Sequence, residues 1–352
     1  MKIKTYFTYI ASFLMVVPSL FFFFNTNNVT GTKENKASIK FDRKRPFEMV
    51  DSYYKNNFAF RNILASQYLA FNSSFVKTSP IADKVVYGKE GWYFLGDAYN
   101  NVYSKALGIN TTTDQEITET VERVLEMKRF CDSLNIKFYY FVPPNSHTIF
   151  SEYLPIKPNS NKVKEIDRIK RHLEGKVNFI DVRKELFEAK KYKKIYYKTD
   201  SHWNCTGGFY GTKKLIAVIK NDFPNLEDLK WDNFKPIEYV KDQMDLTAML
   251  NEKIIEKDFL YQYKNENYVV KNEIINNIEY MVITNPDKKY NCLLFRDSFA
   301  GSFVDYLSAS FGKTTYVSSP IFDKNKILAE KPDFVIFEIV ERNIIFTGIP
   351  IR

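Results

Sequence analysis

Hydrophobic positions fall along this chain in distinct regimes, and each regime predicts a different kind of structure. From Tyr6 to Phe24 no charged residue occurs, and the run closes with Phe21-Phe22-Phe23-Phe24 before polar Asn25-Thr26-Asn27-Asn28. About twenty apolar residues span a bilayer, and Lys2 and Lys4 on the N-terminal flank assign that end to the cytoplasm. No small-x-small cleavage site ends the run, so residues 1–25 read as an uncleaved signal anchor rather than a removed signal peptide. Residues 26–79 read as a polar, Lys-rich juxtamembrane linker, then a helical pre-domain with apolar residues at helical spacing through 47–75.

Beyond residue 80 the periodicity alternates. Two short β runs around a Gly-bounded turn predict a hairpin over residues 84–95. Then come a long amphipathic helix (113–134), a strand (136–142) ending in Pro143-Pro144, a helix (162–173), a strand (177–182) and a helix (206–220). Residues 223–290 form the least patterned stretch and read as an insertion of irregular and β structure. An apolar strand begins at Cys292, and a helix (303–311), a strand (314–317), a helix (324–330) and a strand (333–340) follow it. Buried strands alternating with helices predict an α/β domain over 80–352, its sheet mostly parallel and flanked by helices. Ligand sites of such sheets gather at the strands' carboxyl ends. Both Pro143-Pro144-Asn145 and Arg296-Asp297-Ser298 fall at such ends, which predicts one shared crevice.

Composition narrows the function classes. With 352 residues, 45% of them hydrophobic, the chain can bury a large core. The net charge of +9, from 51 basic and 42 acidic residues, is spread along stretches such as Lys190-Lys191-Tyr192-Lys193-Lys194. Charge so dispersed reads as a solvated face, not a nucleic-acid footprint. Cys131, Cys205 and Cys292 form no Cys-x-x-Cys pair and no disulfide framework. Of three histidines, His147 falls in a loop and His172 on a Lys/Arg-rich helix, so no His-rich metal site is expected.

The candidate chemistry centres on Asp200-Ser201-His202-Trp203-Asn204. In extended backbone, side chains at i and i+2 leave the same face, so Asp200 can orient the His202 imidazole while its other nitrogen takes a proton. Trp203 then points the opposite way, more as core than as a sugar platform. The matching nucleophile is Ser298, placed after a buried strand where a strand-to-helix turn exposes the hydroxyl and aims backbone N–H groups at one spot. Asp-Ser before a helix is also an ordinary N-cap. Cys205 is the weaker alternative nucleophile.

These residues resemble a known family. Asp200-Ser201-His202-Trp203 followed by Gly207-Gly208-Phe209-Tyr210 is similar to the DxHW signature of AlgX/AlgJ-type polysaccharide O-acetyltransferases. Gly88-Lys89-Glu90-Gly91-Trp92, Val142-Pro143-Pro144-Asn145 with Tyr153-Leu154-Pro155, and Lys331-Pro332-Asp333-Phe334-Val335 with Glu341-Arg342 resemble further elements, in the family's order, over residues 80 to 345. The resemblance implies an SGNH-hydrolase-like fold with Ser298 as nucleophile, His202 as base and Asp200 as its orienter. Two positions depart from the pattern. Ser146 stands where the proline-bearing element carries Lys, and Arg296 precedes Asp297-Ser298 where other SGNH enzymes often have Gly. Arg296 either brings a cation to the oxyanion or points to solvent; Asp297 and Trp203 are weaker substrate candidates. Glu341-Arg342 either pair at the sheet edge or line the crevice.

The implied function is acetyl transfer to hydroxyls of an exported cell-surface polysaccharide through a Ser298 acyl-enzyme. No bound cofactor is expected, but an acetyl donor is required. The resemblance implies a polytopic membrane acyltransferase partner that passes acetyl across the bilayer. With the anchor and no appended carbohydrate-binding domain, the chain looks more like AlgJ: single-pass in the inner membrane, catalytic domain on the periplasmic side. An acetyl esterase using the same three residues and an inactive glycan-binding scaffold are the alternatives.

Overall fold

The computed structural model describes Tyr9 and residues 79–350 apart from 243, 265, 266, 276 and 277. The chain divides into two units, Met1–Pro80 and Ile81–Arg352, and the second is described below. The expected anchor, linker and 47–75 helix lie, Tyr9 aside, outside the described residues. Among those described, no helix is long and apolar enough to cross a membrane.

The strands are β1 (Val85–Tyr87), β2 (Tyr93–Leu95), β3 (Lys137–Val142), β4 (Asn178–Asp181), β5 (Phe234–Lys241), β6 (Glu256–Tyr263), β7 (Val269–Ile275), β8 (Ile278–Thr284), β9 (Asn291–Arg296), β10 (Lys313–Ser318) and β11 (Phe334–Glu338). The helices are α1 (Val102–Leu107), α2 (Asp114–Ser133), α3 (Ser146–Ile149), α4 (Glu165–Leu173), α5 (Arg183–Ala189), α6 (Cys205–Ile219), α7 (Asp245–Leu250), α8 (Val304–Ser308) and α9 (Lys324–Glu330). A seven-stranded sheet runs β4-β3-β11-β9-β10-β8-β7. Its first five strands are parallel, with Phe334 opposite both Lys137 and Cys292. β8 and β7 add on antiparallel at one edge, so the sheet is mostly parallel, as expected, but mixed at that edge. The difference comes from the insertion: β7 and β8 are joined too closely for a crossover, and a short connection permits only antiparallel pairing. β5 and β6 pair apart from the main sheet.

Alternation along the strands splits the core into two layers. Phe138, Tyr140, Val142, Leu293, Phe295, Val335 and Phe337 pack with Val124, Cys131, Ile166, Ile169 and Ile327 from α2, α4 and α9. Tyr139, Phe141, Leu294, Ile336 and Tyr316 pack on the other face with Phe209, Leu215, Ile216 and Ile219 of α6. α2 forms because Ile117, Val121, Val124 and Cys131 fall on one helical face, and each such side chain contributes about 1.5–3 kcal/mol when fully buried. A capping box starts it: the Thr113 hydroxyl accepts from Glu116 N at 3.2 Å, and Glu116 Oε2 accepts from Thr113 N at 2.8 Å. The short helices α1, α3, α5, α7 and α8 are too brief to show a helical period, and the expected helix over 303–311 shrinks to α8.

α6 lies close against the turn that follows β9 because residue 208 lacks a side chain. A Cβ there would stand 2.3 Å from the Ser302 carbonyl oxygen. Gly208→Ala should therefore destabilise the protein by about 1–3 kcal/mol and displace the turn bearing Ser298. Unfolding in urea, read beside ester turnover, checks this; both unchanged would show that the turn yields freely.

Candidate active site

Ser298 gains its place from Asp297. β9 ends at Arg296, and Asp297 caps a 3-10 turn, Ser298–Ser302, by accepting from Phe299 N at 2.8 Å. The other Asp297 oxygen accepts from Val340 N at 2.8 Å, just past β11, and Asp297 N donates to Glu338 Oε2 at 2.8 Å. Burial, reinforced by the adjacent Asp297 carboxylate, pushes the Glu338 carboxyl up. The turn is thus tied to the carboxyl ends of two neighbouring strands, and the Ser298 hydroxyl is left exposed at the rim.

The second segment is pinned by Tyr196, whose hydroxyl donates to the Pro144 carbonyl at 2.5 Å, and by an antiparallel bridge between Tyr196 and Trp203. Asp200 Oδ1 lies 2.7 Å from His202 Nδ1 and accepts from His202 N at 3.0 Å. His202 Nε2 lies 2.8 Å from Ser298 Oγ. A carboxylate on Nδ1 holds the proton there and leaves Nε2 to accept from the serine. The second Asp200 oxygen accepts from Lys241 Nζ at 2.7 Å and Asp245 N at 3.2 Å. Burial works to raise the Asp200 carboxyl, but His202 and Lys241 together outweigh it and hold it well below the usual carboxylate range.

Trp203 turns inward as the alternation predicts. It is wholly buried against Phe141, Phe299 and Phe303, and its indole donates to the Phe299 carbonyl at 2.8 Å. It serves as a strut between the two segments, not as a sugar platform. Asp297 likewise spends both oxygens on backbone N–H groups. Arg296 reaches toward Glu279, Nη2 to Oε2 at 3.7 Å, and donates to its neighbour's carbonyl, Asp297 O, at 3.3 Å. The Arg342 guanidinium stands 5.1 Å from the Phe299 ring centre, and the His202 ring packs 5.0 Å from the same ring. Glu341 accepts from Asn145 N at 2.8 Å and Thr148 Oγ1 at 2.9 Å, fixing the Pro143-Pro144-Asn145 strand end. Arg342 Nη1 in turn donates to Asn145 Oδ1 at 3.4 Å. Ser146 is buried at the start of α3.

Cys205 heads α6 with its thiol pushed up to about 12 by burial and then by the Asp258 and Asp305 carboxylates, which suits it poorly to thiolate chemistry. Two groups escaped the sequence reading. Asp245 accepts from Ser201 N at 2.7 Å and from the Ser201 hydroxyl, and its Oδ2 lies 3.6 Å from His202 Nδ1. Lys241 is the other. The Asp200 and Asp245 carboxylates and the His202 imidazole crowd together, with one oxygen or nitrogen of each within 4.8 Å of the others. The Lys241 ammonium on Asp200 already supplies a positive charge there, which favours proton handling.

Asn145 and Arg342 also line a cavity of about 670 Å³ together with His147. His147 is 2% exposed, donates from Nε2 to the Leu95 carbonyl at 2.9 Å and leaves Nδ1 without a partner. Burial pulls its pKa down to about 4. The fold thus favours neutral His147, so its stability contribution is complete above the unfolded value of about 6.5 and declines as pH falls from there toward 4. The loss should reach about 3 kcal/mol, and His147→Gln should remove it. Urea unfolding at neutral and acid pH measures this; identical pH dependence in variant and wild type would exclude His147 as the source.

An α/β fold with a serine at the end of one central strand and Asp-x-His ahead of a covering helix defines an SGNH-hydrolase-like protein. Residues 85–314 match the family model of the SGNH hydrolase-like domain, acetyltransferase AlgX, and the chain belongs to that family. Its fold is similar to that of Bacillus cereus PatB1 with a sulfonyl adduct, at a TM-score of 0.60 and 16% identity over 76% of this chain and 98% of that one. It is also similar to the O-acetyltransferase domain of Pseudomonas putida AlgJ, at a TM-score of 0.52 and 13% identity over 75% and 93% of the two chains. At such identities the likeness concerns the fold alone. No curated protein sequence matches the chain.

Proposed function

We propose that the protein transfers acetyl groups to hydroxyls of an exported polysaccharide through an acetyl-Ser298 intermediate. The observation that carries this reading is the unbroken relay from Asp200 through His202 to an exposed Ser298, with contacts of 2.7 and 2.8 Å. Ser298 Oγ attacks the acetyl carbonyl carbon while Nε2 of His202 takes its proton. The tetrahedral intermediate collapses, and the leaving group departs with that proton. A sugar hydroxyl repeats the sequence in the deacylation half, giving its proton to Nε2, and Ser298 recovers one as it leaves.

Of the backbone donors around the nucleophile, Phe299 N–H is committed to Asp297. The Ser298 N–H at the head of the turn therefore serves the oxyanion, and the nearby Arg342 guanidinium adds positive charge. The cavity beside Arg342 and Asn145 offers room for the acceptor chain. The apolar N-terminal run supports an extracytoplasmic, membrane-anchored enzyme in the inner membrane. The acetyl donor is then a polytopic membrane acyltransferase, since soluble acetyl-CoA is confined to the cytoplasm.

The test is to incubate the purified full-length chain with a chromogenic acetyl ester or a sulfonyl fluoride and map any adduct by peptide mass spectrometry. Label on Ser298 is expected. A folded protein with neither adduct nor turnover would remove the reading. Acetylated glycan, as opposed to free acetate, separates transfer from an esterase working with the same residues.

A further inference from the structure

The insertion between α6 and β9 reaches back to the base. Lys241, the last residue of β5, and Asp245, the first of α7, bracket Asp200 and His202. Lys241 Nζ is 2.7 Å from Asp200 Oδ2 and stands 4.2 Å from the Tyr197 ring centre, which fixes the ammonium from a second side. Asp245 is held by Ser201 and by its own N–H on Asp200. We infer that Lys241 and Asp245 are positioning residues that set the net charge met by the His202 imidazole, acting through the base and not on the substrate. This rests on the reading of His202 and Ser298 as the reacting pair.

When Nε2 takes the Ser298 proton, the imidazole becomes a cation. Asp200 is the charge that should stabilise it, yet Lys241 lies on that carboxylate and cancels much of its field. Asp245, 3.6 Å from Nδ1, restores a negative charge on the same side of the ring. Asp245 also couples to the Tyr99 phenol from the loop before α1 and to the Arg342 guanidinium from the turn after β11. Burial and the Asp200 carboxylate push the Asp245 carboxyl up, so its charge is sensitive to its surroundings. The two residues act with opposite signs. Loss of Asp245 makes the imidazolium harder to form, and loss of Lys241 makes it easier.

That opposition gives a test that a merely structural role would not satisfy. The chain holds three histidines, so imidazole carbon-bound protons can be followed by NMR in the purified full-length protein, with His202→Gln assigning the site signal. In Asp245→Asn the pH at which His202 titrates should fall by about 1 unit, and in Lys241→Gln it should rise by a similar amount. The acid limb of kcat/KM for a chromogenic acetyl ester should move in the same two directions, and Lys241→Arg should stay near wild type. Titration unmoved in both folded variants, or Ser298-dependent turnover whose acid limb stays fixed, overturns the inference. The two opposed NMR shifts without any Ser298-dependent turnover would instead remove the acyl-transfer reading while leaving the charge assignment standing.

Discussion

Ser298→Ala is expected to lower acetyl-ester turnover by about 10⁴-fold or more and to abolish the covalent adduct. The Ser298 side chain is exposed and its hydroxyl meets His202 Nε2, so the substitution leaves the capped turn in place. Stability should change by no more than about 0.5 kcal/mol. The signature is thus an inactive protein with an unaltered urea midpoint. His202→Ala should fall to a similar floor, and the double variant no further, because residues that work as one unit lose activity together. An adduct that persists in Ser298→Ala would move the nucleophile elsewhere.

Asp200→Asn should be nearly as damaging, with kcat reduced about 10⁴-fold, the size expected when a base loses its orienting carboxylate. Four donors converge on Asp200: His202 N, His202 Nδ1, Lys241 Nζ and Asp245 N. An amide has one oxygen, so its NH2 must face one of the two pairs. Turned toward Lys241, the NH2 opposes an ammonium. Turned toward His202, it requires Nδ1 to accept, which moves the proton to Nε2 and blocks removal of the Ser298 proton. Steady-state kinetics beside the NMR tautomer of His202 measure the effect. Full activity in this variant would mean that Asp245 alone suffices to orient the ring.

The site was legible where chemistry and local geometry coincide. Asp200 and His202 share a face because they are two residues apart in extended chain, and Trp203 is buried for the same reason. Ser298 was marked by the apolar run before it and by Asp297, whose cap is an ordinary local interaction. Lys241 and Asp245 were not legible. They act from β5 and α7, in a stretch where Phe234 is the sole wholly buried residue of its strand and α7 has only six residues. Partnerships such as Lys241 with Asp200 span 41 residues and depend on where the insertion folds back, which no local pattern encodes. The mixed sheet escaped for a related reason: β7 is exposed along its whole length, so it carries no buried-strand signature.

The position of β11 has a consequence for the order in which the molecule assembles. β11, the last of the described strands, fills the slot between β3 and β9, and on the β3 side pairs with residues about two hundred positions earlier. Until the chain is complete to Glu338, two apolar strand edges face each other across an empty groove, and the Asp297 turn lacks its anchor at Val340. Closing so long a loop late makes maturation slow and leaves the unfinished chain prone to association. The turn bearing Ser298 is therefore complete only after β11 and Val340 have been delivered, so deletion of β11 should yield aggregate, not a merely weakened protein.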